Sequence, residues 1–199
     1  MYKINYRGEV IMKSTIVLCT TNSNSFGEVI VDKIAAELDK KMKEYELIDL
    51  YKDNFNPIMD AEGERVYSEG KASDVLVEKY QKILKNTEEV FFVFPIWWNN
   101  VPAMLKGFFD KVFIKDFAFK EEKGSVVGLL TNIKCGMVVT TSEMDMSNLK
   151  DKMENPIENT IIKATLNEVG MSNIEWFNHN VATGGKKQFL IELEEYFKK

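Results

Sequence analysis

Two adjacent tryptophans, Trp97 and Trp98, stand between the apolar run 90–94 (VFFVF) and Pro102, a residue suited to the first turn of a helix. The run is short and rich in Val and Phe, as expected of a strand buried on both faces. Pro95 ends it, because proline has no N–H to give to the ladder. Residues 103–113 then carry their apolar side chains at helical spacing. Indoles at the carboxyl end of a parallel strand lie where open α/β sheets bind ligands, and a pair of them suits a flat aromatic one. The same side chains could instead cap a core, and composition leaves both readings open.

A second group points to anion chemistry. Thr20, Thr21, Ser23 and Ser25 lie in a polar loop between the apolar run 15–20 and an amphipathic segment over about 26–43. Free N–H groups and the helix dipole at that N-terminus favour a phosphate, and the hydroxyls add donors. Ser25 with Glu28 also fits a capping box, which needs no ligand. The loop has neither Walker spacing nor a GxGxxG turn, so it signals neither a nucleoside triphosphate nor a Rossmann dinucleotide.

The remaining composition narrows the chemistry. The single histidine, His179, reads as structural or surface and excludes a histidine-rich metal site. Cys19 and Cys135 fall in strand-like runs with no CxxC spacing, which suits reduced, buried thiols and a cytoplasmic protein. No catalytic triad is apparent, and the pairs Glu121–Glu122 and Glu194–Glu195 read as solvated charge. A net charge of −5, with arginine only at positions 7 and 65, argues against a nucleic-acid surface. No apolar run approaches the ~20 residues that span a bilayer, and no signal peptide is visible.

With 199 residues, 45 % of them hydrophobic, the natural count is one α/β domain. Strands are expected over 15–20, 44–50, 90–94, 134–141 and 173–178, and helices over 26–43, 74–86, 103–113, 157–169 and 186–199. Residues 53–70 read as a long irregular connection, 124–131 as a small hairpin or edge strand, and 144–156 as a Met-rich loop with a short helix. The alternation predicts a parallel sheet with helices on both faces. Residues 1–12 are expected to be a disordered extension, with Met12 the candidate start, and residues 13–199 the domain.

The segment around the indoles resembles the flavin-contacting segment of the NAD(P)H quinone dehydrogenases, the larger flavodoxin-like oxidoreductases. The match runs through Pro95, Ile96, Trp97, Trp98, Pro102, Ala103, Leu105, Lys106, Gly107, Phe108, Asp110, Lys111, Val112 and Phe113, and extends more weakly over about 14–197. The resemblance implies a flavodoxin-like fold with strand order 2-1-3-4-5, in which the loops after strands one, three and four meet at one rim. It implies that Thr20, Ser23, Ser25, Phe26 and Gly27 cradle a flavin phosphate, with Thr20 where the family has histidine or proline. The isoalloxazine is then expected against Pro95, Ile96, Trp97 and Trp98. Backbone N–H groups of the stretch Thr140, Thr141, Ser142 and Glu143 would face its pyrimidine edge, Ser142-Glu143 replacing the family's Gly-Gly. Asp116 likewise replaces glycine in a turn that continues Phe117-Ala118-Phe119. The Tyr and His pair of some relatives has no counterpart over 142–155, so no acid or base is assigned.

The implied activity is that of an NAD(P)H dehydrogenase (quinone). NAD(P)H reduces bound FMN, with FAD as the alternative, and a quinone or similar electrophile is then reduced in ping-pong order. A homodimer is expected, with the active site at an interface built by residues 104–113 and 117–119. Two other readings stay open, an electron-carrier flavodoxin and a regulatory subunit of a potassium-efflux system. Segments 105–119 and 53–70 speak against the carrier.

Overall fold

A computed structural model describes residues 13–21 and 24–199. The expectations for residues 1–12 and for Ser23 lie outside the described residues. In chain order the elements are β1 (Ser14–Leu18), α1 (Phe26–Lys40), β2 (Tyr45–Asp49), α2 (Ala61–Ser68), α3 (Val75–Lys85), β3 (Glu89–Pro95), α4 (Ala103–Val112), β4 (Phe119–Glu122), β5 (Ser125–Gly128), β6 (Cys135–Ser142), α5 (Met146–Asp151), a π-helix (Ile157–Asn167), β7 (Ile174–Asn180) and α6 (Lys186–Tyr196). Five strands form one parallel sheet in the order β2-β1-β3-β6-β7. This is the expected 2-1-3-4-5 arrangement, because β4 and β5 pair only with each other as an antiparallel ribbon.

Side-chain alternation along the strands divides the core in two. Phe91 and Val93 join Ile16, Leu18, Met137 and Val139 beneath α1 and α6, where Ile30, Ile34 and Leu193 close the layer. Val90, Phe92 and Phe94 point the other way, against Tyr80 of α3, Leu105 and Phe108 of α4, and Ile161 of the π-helix. Full burial of each β3 phenylalanine contributes on the order of 2–3 kcal/mol. Among the described residues, no helix is long and apolar enough to cross a membrane.

The sheet's amino-terminal rim is closed by a buried carboxylate. Glu89, 3 % exposed, accepts from Ser14 Oγ at 2.8 Å, from Lys43 Nζ at 2.9 Å and from the Tyr196 hydroxyl at 3.2 Å. A buried charge is tolerable when donors saturate it in this way.

Two local expectations change. Within the 53–70 connection, residues Ala61–Ser68 form helix α2 rather than irregular chain. Asp60 caps it by accepting from Gly63 N at 2.8 Å, and Arg65 pairs with Glu62 and Glu69 at 2.7 Å each. The surrounding Asn, Pro and Gly obscured these local signals. The helix after residue 156 is wound wider than an α-helix, and Thr165 Oγ1 reaches the carbonyl of Thr160, five residues back, at 2.8 Å. Asp116 keeps a left-handed backbone, φ +63°, the region that favours glycine, and its N–H donates to Phe119 O at 2.7 Å.

Gly107 matters for packing. A Cβ there would overlap the backbone of Pro57, so the glycine lets α4 seat directly on the 53–60 connection. Lys111, one turn on, donates to Asn56 O at 2.9 Å and pairs with Asp74 at 3.0 Å.

Candidate functional site

The carboxyl ends of β1, β3 and β6 are neighbours, so their loops emerge side by side within about 10 Å, two strand spacings. At the first, Ser25 caps α1. Its Oγ accepts from Glu28 N at 3.4 Å and from Thr20 Oγ1 at 3.1 Å. Both bonds use Ser25 as acceptor, leaving its own O–H for a further partner. The reciprocal half of a capping box is missing, because the Glu28 carboxylate pairs with Lys52 at 3.1 Å. At Gly27 a Cβ would stand 3.3 Å from Ser25 Oγ and 3.7 Å from Thr20 Cβ, so the glycine keeps the space between the two hydroxyls open. Lys186 Nζ lies 5.2 Å from the ring of Phe26, bringing positive charge to the same helix end.

The second and third loops enclose a cleft of about 730 Å³. Pro95 pairs with Thr141 in the sheet, and Ile96 N donates to Thr141 O at 2.8 Å. Trp97 and Asn100 exchange both backbone hydrogen bonds, at 2.9 and 3.0 Å. This closes a two-residue turn in which Trp98 (φ 50°) and Asn99 (φ 60°) are both left-handed. Trp98 is fully exposed and Trp97 46 % exposed. Opposite them, the cleft is lined by Thr141, Ser142, Glu143 and Met144, with Leu149 and Met153 completing the wall.

Ser142 and Glu143 do not occupy the left-handed region, so the backbone here makes no demand for glycine. Ser142 Oγ donates to Met144 O at 2.7 Å and accepts from Met144 N at 3.3 Å. Asn178 of β7 holds the same carbonyl through Nδ2 at 2.9 Å. Thr140 is turned away from the cleft. Its buried Oγ1 accepts from Trp176 Nε1 at 2.9 Å and donates to Asn178 Oδ1 at 2.8 Å.

Neither Cys19 nor His179 is poised for chemistry. Burial pushes the Cys19 thiol up to about 12, which keeps it protonated. His179 is packed between Phe26 and Phe189, with ring centroids 4.5 and 5.1 Å away. Burial, helped by the Lys186 ammonium, lowers its pKa and favours the neutral ring.

A family model described as flavodoxin-like fold matches residues 12–198. The chain belongs to that family. Among flavodoxin-like proteins it is 29 % identical, over 83 % of its own length and 82 % of the other's, to an uncharacterized NAD(P)H oxidoreductase of Haemophilus influenzae. It is 31 % identical, over 53 % of its length and 54 % of the relative's, to an FMN-dependent NADH:quinone oxidoreductase of Coprothermobacter proteolyticus. An NAD(P)H:quinone oxidoreductase from Methanothermobacter marburgensis superimposes with a TM-score of 0.83 at 20 % identity, covering 94 % of this chain and 98 % of that one.

The flavodoxin-like rim fits a flavin by its own donors and shape. The Ser25 hydroxyl, the open space at Gly27 and the first-turn N–H groups of α1 suit a phosphate. The cleft volume and its indoles suit a tricyclic ring. Thr20, Ser25, Phe26 and Gly27 lie at the first loop; Pro95 to Trp98 and Thr141 to Glu143 line the cleft. Asn99, Met144, Leu149, Met153 and Val181 also line it and were not singled out in the sequence. The Met-rich composition of 144–156 was the signal available for three of them.

Proposed function

We propose that the chain is an NAD(P)H-dependent oxidoreductase that reduces quinones or related electrophiles by two electrons through bound FMN, with FAD as the alternative. The observation that carries this reading is the indole-walled cleft beside the Thr20 and Ser25 hydroxyls at the N-terminus of α1. The names of the Haemophilus and Coprothermobacter relatives support it. The balanced reaction is NAD(P)H + H⁺ + quinone → NAD(P)⁺ + hydroquinone. Flavin, if bound here, would supply two-electron redox chemistry.

The chain's own residues bind and orient. Ser25, Gly27 and the N-terminus of α1 would hold the phosphate. Trp97 and Trp98 would flank the ring site and exclude water from it. Met144 N is engaged by Ser142, so the Glu143 N–H is the donor of that turn left to meet the polar edge of the ring. A ring held in this cleft would serve both substrates in turn, which is ping-pong order. The free thiols of Cys19 and Cys135 suit a reducing, cytoplasmic location.

We infer further that two copies pair through the face made by α2, α4 and the β4–β5 ribbon. A groove of about 780 Å³ there is lined by Tyr67, Phe109, Phe113, Phe119 and Val126, an apolar surface of the kind that a subunit contact covers. Scattering mass in solution checks this.

The deciding experiment is spectroscopic. Protein loaded with FMN should bleach anaerobically with NADH or NADPH, regain its colour on adding a quinone, and sustain quinone-dependent NAD(P)H oxidation. A flavodoxin-type carrier would bind FMN and oxidise no NAD(P)H, and that outcome would overturn the reading.

A further inference from the structure

We propose that Glu143 selects acceptors by charge, so that this site favours cationic or neutral aromatic electrophiles over those carrying a sulfonate or carboxylate. The inference rests on the function proposed above and goes beyond it by naming the acceptor class. Among the described residues lining the cleft, Glu143 is the one with an ionisable side chain. The remaining wall is apolar, aromatic or uncharged, so this carboxylate is the one charged side chain that an acceptor in the cleft would meet.

The position of Glu143 is fixed from both sides. Ser142 ends β6, paired with Asn180 of β7, and Val181 N donates to its carbonyl at 2.8 Å. Met144 is pinned at both N–H and C=O by Ser142 Oγ and at its carbonyl by Asn178. Asp145 caps α5, accepting from Asn148 N at 2.8 Å. Glu143 is therefore an exposed side chain on a held backbone, not the tip of a loose loop. Trp97 and Glu143 each stand two residues beyond the paired positions Pro95 and Thr141, so the indoles and the carboxylate rise from adjacent strands. Indole faces together with a carboxylate are the chemistry that recognises an aromatic cation.

Coulomb's law at the intermediate dielectric of a half-open cleft gives a discrimination of about threefold to tenfold for one unit charge several ångströms away. Screening should shrink it as ionic strength rises.

The test uses FMN-loaded protein and three acceptors: a neutral methyl-naphthoquinone, a sulfonated naphthoquinone and one bearing a trimethylammonium group. Each kcat/KM is normalised to that of the neutral quinone in the same variant, which removes any change in flavin loading. Relative to wild type, Glu143→Gln should raise the normalised value for the sulfonate and lower it for the ammonium compound, each about threefold or more. Glu143→Lys should extend both changes, and 0.5 M salt should diminish them. Normalised values unchanged in both variants, with the neutral quinone turned over, would overturn the inference while leaving the proposed function standing. A neutral quinone that is not reduced at all removes the proposed function, and the inference with it.

Discussion

The backbone N–H of Ile96 donates to the carbonyl of Thr141 across 2.8 Å, just beyond the last sheet pair of β3 and β6. That bond joins the two walls of the cleft at their root. The indoles and the Ser142–Met144 turn are thereby carried on one rigid base, as a preorganised ring site requires.

Trp97 is half-exposed at that base, and its contact with a bound ring is the contact the proposed function needs. Trp97→Ala should weaken FMN binding by roughly 1–3 kcal/mol, the range for losing an aromatic partner, or about fivefold to 150-fold in Kd. Flavin titration measures it, and an unchanged Kd would count against the ring assignment.

Trp98 makes the opposite case. It is fully exposed and held at φ 50°, a conformation that costs a non-glycine residue about 1 kcal/mol or more. Trp98→Gly relieves that strain while adding chain entropy of similar size, so thermal stability should stay within about 1 kcal/mol of wild type. The acceptor KM should rise nonetheless. A large stability loss would mean that the indole packs on the protein.

At Gly107, α4 and the connection at Pro57 meet with no room for a methyl group. Gly107→Ala must move backbone against backbone, at a cost of about 2–3 kcal/mol. Urea unfolding should register the loss, and a neutral result would place the two segments further apart.

His179 predicts a pH effect. Burial, with Lys186 nearby, depresses its folded pKa below the ordinary value of 6.5, so the folded state holds the neutral ring. As pH falls below about 6.5 the unfolded chain takes up the proton first. Stability is therefore full above that value and declines as pH falls through the folded pKa. His179→Leu should flatten this part of the Tm profile, and an identical slope in both proteins would exclude the residue as its source.

The strand order and the three converging loops were legible because parallel, doubly buried strands read as short apolar runs and each is followed by a helix at 3.6 spacing. The Pro95-to-Phe113 string carried the site for the same reason, since a strand end, a turn and a helix start each leave a residue signature. Helix α2 was obscured because its capping Asp60 and central Gly63 sit among turn-forming residues. The role of Met144, Leu149 and Met153 depended on how α5 packs against β7, a long-range placement that the Met-rich composition of 144–156 signals only as apolar content. Thr140 and Thr141 are neighbours in sequence, yet the pleat sends one into a buried hydrogen-bond network and the other to the cleft.

The Glu89 knot sits at the pole of the sheet farthest from the indoles, tying β1, the α1–β2 connection and the last turn of α6 to the start of β3. Registry is thus anchored where no ligand comes. The loops after β1, β3 and β6 are left as replaceable fittings on a chassis clamped from behind. A library randomised only at those fittings should return folded variants far more often than one that touches the clamp.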